Sequence, residues 1–364
     1  MDPDDFPPPR ITQGSIRDLQ VLESQQHHQY QQQQQQPTVR WVRCLVSAET
    51  GKAYCFVRTL REAIFGVVRH GVMLERDERT AVGGGRGEGG NGGFYRYRPD
   101  KQVAIKCMDK KKVLEQRGRI REDPMNELSA LQLLQQGGGH ANVQQLLECL
   151  EDDENLYSIC PFYAGGELFS VIEQRGSGLG EERARVLFRQ ICAGLEYMHE
   201  KRLCHRDMSL ENILVDSSSD GIIIDMGMCL RVPLPPVLPP CSSQQQPRHL
   251  MHKVLLKKQG QCGKITYMDP LVFKNQDFDG FSVDMWACGI ILFILLAGVP
   301  PLELPSMTDP RFKMIAAGRL NVLLNTWQLA LSEDARNLLG RLLNVNPEER
   351  ASMEEVRGHR WMVG

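Results

Sequence analysis

The sequence predicts an α+β chain of two lobes, strand-rich in front and helix-rich behind. Residues 53 to 74 alternate apolar and polar as two strands around a tight bend, and Gln102 to Met108 reads as another strand. Asp123 followed by Pro124 supplies a capping side chain and then proline at the first helical position. Leu128, Leu131 and Leu134 follow at helical spacing. Beyond the short apolar run Leu156 to Phe162 the chain reads as mostly helical, with Leu187, Ile191, Leu195 and Met198 on one face of a long amphipathic helix.

The 364 residues suffice for two modest domains with a large core. Hydrophobic residues make up 41% and charged residues 24%, as in an ordinary globular protein. A formal net charge of −2 gives no reason to expect nucleic acid or an anionic membrane as the main partner. The eleven cysteines are an odd set without C-x-x-C spacing, which argues against a disulfide framework or structural zinc and for a reducing compartment. The first residues are acidic and proline-rich with no apolar signal-type run, and the longest apolar run, Met285 to Val299, reads as a core helix. The expectation is an intracellular protein, cytoplasmic or nuclear.

Three stretches read as solvated and poorly ordered: residues 1–40 with the glutamine tract Gln25 to Gln36, a glycine-rich insertion at about 75–100, and a proline- and glutamine-rich insertion at about 232–248. The expected domains are then 41–163 and 164–364.

The chemistry concentrates in His205-Arg206-Asp207, Asn212 five residues after the aspartate, and Asp225-Met226-Gly227. Upstream stand Val103-Ala104-Ile105-Lys106 and a helical glutamate, Glu127. In this order and at these separations the set resembles the signature of eukaryotic protein kinases of the serine/threonine type, closest in flavour to calcium/calmodulin-dependent kinases. The resemblance runs from about Tyr54 to Trp361. It implies the two-lobed protein kinase fold: a small antiparallel-sheet N-lobe with one key helix, and a larger, mainly helical C-lobe. It also implies ATP, Mg2+ and protein substrates.

Phosphoryl transfer asks for positioning and charge neutralisation more than for covalent help. By the resemblance, Lys106 holds the α- and β-phosphates and Glu127 fixes its ammonium. Asn212 and Asp225 are hard oxygen ligands for magnesium, and Asp207 is the base that takes the substrate hydroxyl's proton. The adenine hinge falls at Cys160-Pro161-Phe162-Tyr163, where Pro161 offers a carbonyl and Tyr163 an N–H. Val68, Ala104 and Leu214 are the apolar walls of the base. Glu167 meets the ribose or a basic substrate residue. With Glu211 it forms an acidic pair that suggests arginine or lysine upstream of the target serine or threonine.

The sequence departs from the family at several places. Gly85-x-Gly87-x-x-Gly90 fits the phosphate-loop string but has no strand before it; Arg61 to Gly66, with Val68 after it, keeps only Gly66 yet sits between expected strands and places an aromatic, Phe65, at the tip. The second loop is preferred. Ser209 stands where these kinases carry a lysine on the γ-phosphate, and Lys264 where they carry a threonine; the expectation is that the two positions exchange roles and Lys264 joins the catalytic set. Met226 replaces an aromatic. Leu271 replaces the glutamate that pairs with Arg350, so Arg350 needs another partner or the lobe is held less firmly.

Arg206 is the pattern of an activation segment ordered by phosphorylation, with Ser242, Ser243 and Thr266 as the available hydroxyls. Asp284 and Trp286 read as the anchor of the large lobe. The chain closes just past Trp361, so no calmodulin-binding or adaptor domain is expected after it. The preferred function is a protein serine/threonine kinase; the rivals are a pseudokinase scaffold and, less so, a small-molecule kinase.

Overall fold

Backbone polar groups in a sheet must be paired, and the strands of this chain meet that demand by closing on themselves. The computed structural model describes residues 6–22, 39–77, 94–234 and 254–364. They divide into two compact units, Pro9–Ile120 with Gln145–Phe162 and Arg121–Gln144 with Tyr163–Gly364.

The first unit is a barrel. Its strands are β1 (Thr12–Leu22), β2 (Val39–Ser47), β3 (Ala53–Ala63), β4 (Gly66–Arg76), β5 (Tyr95–Asp109), β6 (Glu148–Glu151) and β7 (Asn155–Pro161), in the order β1-β2-β3-β4-β5-β7-β6. Neighbours are antiparallel, and β1 closes the ring by running parallel to β6 at Thr12↔Leu150 and Gln13↔Glu151. Alternate residues fill the interior: Leu45, Tyr54, Met73, Val103, Ile105, Leu150, Tyr157 and Ile159 form one buried cluster. Helix α1 (Lys110–Gln116) follows β5, its first turn capped by the Asp109 carboxylate.

Two expectations about unstructured segments are corrected here. Residues 1–40 are not all outside the fold, because Thr12–Leu22 is a strand paired along its length with β2. Of β1 only Val21 is fully buried, so its apolar pattern is faint in the sequence. Nor is all of 75–100 outside the fold: β4 continues through Arg76, and β5 begins at Tyr95. Those strand ends are tied by ion pairs, Arg96 to Asp77 at 2.7 Å and both Arg98 and Lys101 to Glu75 at 2.6 and 2.9 Å. The glutamine tract, the Gly85-x-Gly87-x-x-Gly90 string, Ser242 and Ser243 lie outside the described residues. Val232, at the start of the expected third insertion, is buried and its N–H bonds the Arg202 carbonyl at 2.8 Å.

The second unit is mainly helical: α2 (Pro124–Gln135), α3 (Leu168–Arg175), α4 (Glu181–Glu200), α5 (Pro270–Phe273) and α6 (Gly280–Ala297), followed by shorter helices to the C-terminus. Asp123 caps α2 by accepting from the Met125 N–H, with Pro124 at the first position. Short strands β8 (Leu203–Cys204), β9 (Ile213–Val215) and β10 (Gly221–Ile223) lie between α4 and α5. Helix α6 is buried without a break from Ser282 to Leu296. Among the described residues it is the one helix long and apolar enough to cross a membrane, and here it is packed as core.

Arg350 has a partner. Its guanidinium meets the Asp269 carboxylate at 2.7 Å with both side chains 1% exposed, and it also donates to the Ser282 carbonyl at 2.6 Å. Of the two expected alternatives, another partner for Arg350 or a less firmly held lobe, the structure shows the first. The acid is two residues upstream of Leu271.

Candidate active site

Two anchors fix the loop that carries Asp207. From α6, Asp284 accepts the His205 N–H through Oδ2 and the Arg206 N–H through Oδ1, both at 2.8 Å. A second bond from His199 Nε2, at 2.9 Å, reaches the same Oδ2. His205 is fully buried; its Nδ1 accepts the Asp207 N–H at 3.2 Å, so Nε2 carries the proton and donates to the Ile224 carbonyl at 3.0 Å. Asp284, read from the sequence only as an anchor of the lobe, thus positions the loop directly. Arg206 adopts a positive φ of 67°, a strained conformation that these bonds maintain.

Asp207 is held on both carboxylate oxygens. Oδ1 accepts the Lys264 backbone N–H at 3.1 Å, and Oδ2 accepts the Asn212 side-chain amide at 2.8 Å. The same amide also reaches the Asp207 carbonyl at 2.8 Å. The Lys264 ammonium lies 3.9 Å from Asp207 Oδ2 and 3.0 Å from Ser209 Oγ. Gly263, at φ +79°, lets the activation segment come this close: a Cβ there would meet the Arg206 carbonyl oxygen at 2.9 Å.

The hairpin β9–β10 brings the next pair together. Asn212 precedes β9, Asp225 follows β10, and the Ile224 N–H bonds the Asn212 carbonyl at 2.9 Å. Asp225 also has a positive φ, 68°, and its N–H is accepted by Gln144 Oε1 at 3.2 Å. Its carboxylate lies with those of Glu122 and Glu127 within 4.8 Å, Glu127 being buried on α2. Three carboxylates this near one another call for cationic company. The Asn212 amide nitrogen is engaged by Asp207; its amide oxygen and the Asp225 carboxylate are hard oxygen donors of the kind that suits magnesium.

Glu167 and Leu214 pair as an isolated antiparallel bridge, and the Gly165 N–H bonds the Val215 carbonyl at 2.9 Å, which sets Tyr163 to Glu167 along β9. Tyr267 is buried beside Glu211; burial first, and then that carboxylate, push its phenol well above the usual range.

The remaining predicted residues lie in the barrel unit. Lys106 is opposite Val68 across β4–β5, and Ala104 is opposite Cys160 across β5–β7. Directly opposed residues share a face, so Val68, Ala104 and Lys106 stand on the face away from the core residues Val103 and Ile105. Pro161 pairs with Val103. Gly66 begins β4 after the turn at Ile64-Phe65, and a Cβ there would lie 2.1 Å from the Cys107 carbonyl oxygen. Close strand contact thus accounts for that glycine by itself. Phe65 stands in the turn at the loop tip as expected, but its side chain is 1% exposed, while that of Ile64 beside it is 59% exposed.

Arg206 extends its guanidinium to Gln259 Oε1 at 3.1 Å and Cys262 Sγ at 2.9 Å, above the Phe278 ring. Thr266 sits in the short turn Ile265–Tyr267.

The model of the protein kinase domain matches residues 83–362. The chain belongs to the protein kinase family. Curated relatives agree: this kinase domain is 34% identical over 316 residues to a CBL-interacting serine/threonine-protein kinase 26 of Arabidopsis thaliana, covering 87% of the chain and 60% of the relative. It is 33% identical over 259 residues to CBL-interacting protein kinase 2 of Oryza sativa subsp. japonica, covering 71% and 52%. The chain therefore spans about half to three-fifths of the length of these relatives. The family match begins at residue 83, so β1 to β4 of the barrel lie before it.

Proposed function

We propose that the chain is a protein serine/threonine kinase that transfers the γ-phosphate of ATP to serine or threonine hydroxyls of other proteins. The observation that carries this is the Asp207 carboxylate, aimed by the Lys264 N–H on one oxygen and the Asn212 amide on the other, and 15% exposed. A carboxylate so oriented, and still reachable, is suited to accept a proton from an incoming hydroxyl. The hydroxyl oxygen bonds to the γ-phosphorus as the bond to the bridging oxygen breaks and ADP leaves with the electron pair; Asp207 takes the proton. Magnesium, when bound, supplies neutralising charge for the phosphate oxygens, with Asn212 and Asp225 as its protein ligands. Lys106 is assigned to the α- and β-phosphates, with Glu127 fixing its ammonium. Val68, Ala104, Leu214 and the hinge residues Pro161 and Tyr163 are assigned to the base, as the family pattern implies.

The scaffold reading leaned on the eroded glycine loop, Ser209 and Leu271. The last two departures each have a compensating residue nearby, Lys264 at Ser209 and Asp269 at Arg350. Glu167 and Glu211 support a preference for basic residues upstream of the target hydroxyl. One Glu211 carboxylate oxygen is buried without a hydrogen-bond partner, an arrangement that a substrate cation would relieve. A reducing intracellular compartment suits the chain's eleven cysteines.

The test is incorporation of labelled phosphate into a mixed serine, threonine and tyrosine peptide pool, followed by identification of the modified residue. Label on serine or threonine that vanishes with Asp207→Asn supports the proposal. Label on tyrosine alone, or label insensitive to Asp207→Asn, would refute it.

A further inference from the structure

The loop Asp207-Met208-Ser209-Leu210-Glu211-Asn212 contains no basic side chain. Arg206, immediately before it, is 8% exposed and committed to Gln259, Cys262 and the Met228 carbonyl. Yet a phosphoryl group in transit spreads negative charge over three oxygens, and its neutralisation is most of the catalytic task. Lys264 meets this need from the activation segment. Its backbone N–H fixes Asp207 Oδ1, while its ammonium reaches back across the same carboxylate to Ser209 Oγ at 3.0 Å. That places a positive charge 3.9 Å from the oxygen that takes the substrate proton, on a side chain still 38% exposed. Ser209 is fully buried, and its hydroxyl gives the ammonium a fixed resting point without cancelling its charge.

We propose that Lys264 is the catalytic cation that contacts the transferred phosphoryl group, with Ser209 as its positioning residue. The inference rests on the kinase reading above. The new bond forms from the substrate oxygen to phosphorus, the bond to ADP breaks, and the proton goes to Asp207. Because one backbone amide and one ammonium of a single residue serve both Asp207 and the phosphoryl group, placement of base and cation depends on the same stretch of activation segment. The segment beginning at Gly263 therefore has to be docked for either to work.

The experiment measures kcat and KM for wild type, Lys264→Met, Lys264→Thr and the exchange Ser209→Lys with Lys264→Thr, with thermal melting to confirm folding. Lys264→Met should lower kcat by on the order of 100-fold, with a much smaller change in peptide KM. The exchange should recover about ten-fold or more of the loss in Lys264→Thr, because it returns an ammonium to the same few ångströms. A folded Lys264→Met with kcat within about two-fold of wild type overturns the inference and leaves the kinase reading intact. So does an exchange variant no faster than Lys264→Thr. A wild-type chain without phosphate transfer overturns both.

Discussion

Asp269 and Arg350 form a buried ion pair at 2.7 Å, each side chain 1% exposed. Asp269 does two jobs, since its other oxygen accepts the Leu271 N–H at 2.6 Å and caps α5. Arg350 also stacks over Trp286, with its guanidinium 5.2 Å from the ring centroid. Burial draws the guanidinium's pKa down while Asp269 opposes that shift. The end of the activation segment is thus tied to α6 and to the segment after Asn344 through one arginine.

Removing one partner should cost much more than the pair contributes net. Asp269→Ala leaves Arg350 buried and uncompensated and should destabilise the domain by about 3–5 kcal/mol. Adding Arg350→Met should recover much of that loss. Denaturant melts of the two variants check this, and equal stability of the single and double variants would count against it.

Gly66 gives a prediction about the barrel. A Cβ there would sit 2.1 Å from the Cys107 carbonyl oxygen, a contact only main-chain movement can relieve. Gly66→Ala should therefore cost roughly 1–3 kcal/mol, read by thermal melting without nucleotide. A loss of ATP affinity at unchanged stability would mean that the glycine serves the ligand and not the sheet.

Asn212 links the base to the metal ligands, bonding both the carbonyl and Oδ2 of Asp207 at 2.8 Å. Asn212→Ala should lower kcat by about 100-fold and raise the magnesium concentration needed for half-maximal rate. Titrating magnesium at saturating ATP separates the two effects. An unchanged magnesium requirement would remove Asn212 from the metal site.

Asp309 provides a pH-dependent term. Burial works against its charge, but the N–H groups of Glu303, Arg311, Leu304 and Phe312 outweigh burial and hold its pKa below the ordinary carboxylate range. A carboxyl depressed in the folded state stabilises fully above its unfolded pKa of about 3.9 and loses that contribution as the pH falls through its folded value. The stability gap between wild type and Asp309→Asn should be widest near neutrality and close under acid conditions. A gap that is constant from neutral to acid pH would contradict this assignment.

The residues of the catalytic loop stood out in the sequence through their resemblance to the kinase signature; the fold then brings Asn212 onto Asp207 and puts Asp225 at the end of the adjoining hairpin. A division into two units was expected from the change of hydrophobic period between β7 and α4, but at bounds of 41–163 and 164–364; Arg121–Gln144, with α2, instead groups with the helical unit. Strand β1 was not legible, since its stability comes from being paired on both sides and only Val21 is deeply buried. The partner of Arg350 was hidden for another reason. Asp269-Pro270 has the same helix-start form as Asp123-Pro124, and the capping role gave no hint that the carboxylate also serves an arginine far along the chain. Lys264 and Ser209 were conspicuous as departures, but only folding shows that they touch.

Phosphate transfer by this chain is measured with labelled ATP, magnesium and a pool of basic serine and threonine peptides, run beside Asp225→Asn. Wild type should transfer phosphate and the variant should not, while both remain folded. Equal labelling by the two proteins, or a folded wild type that transfers nothing, would contradict the kinase assignment.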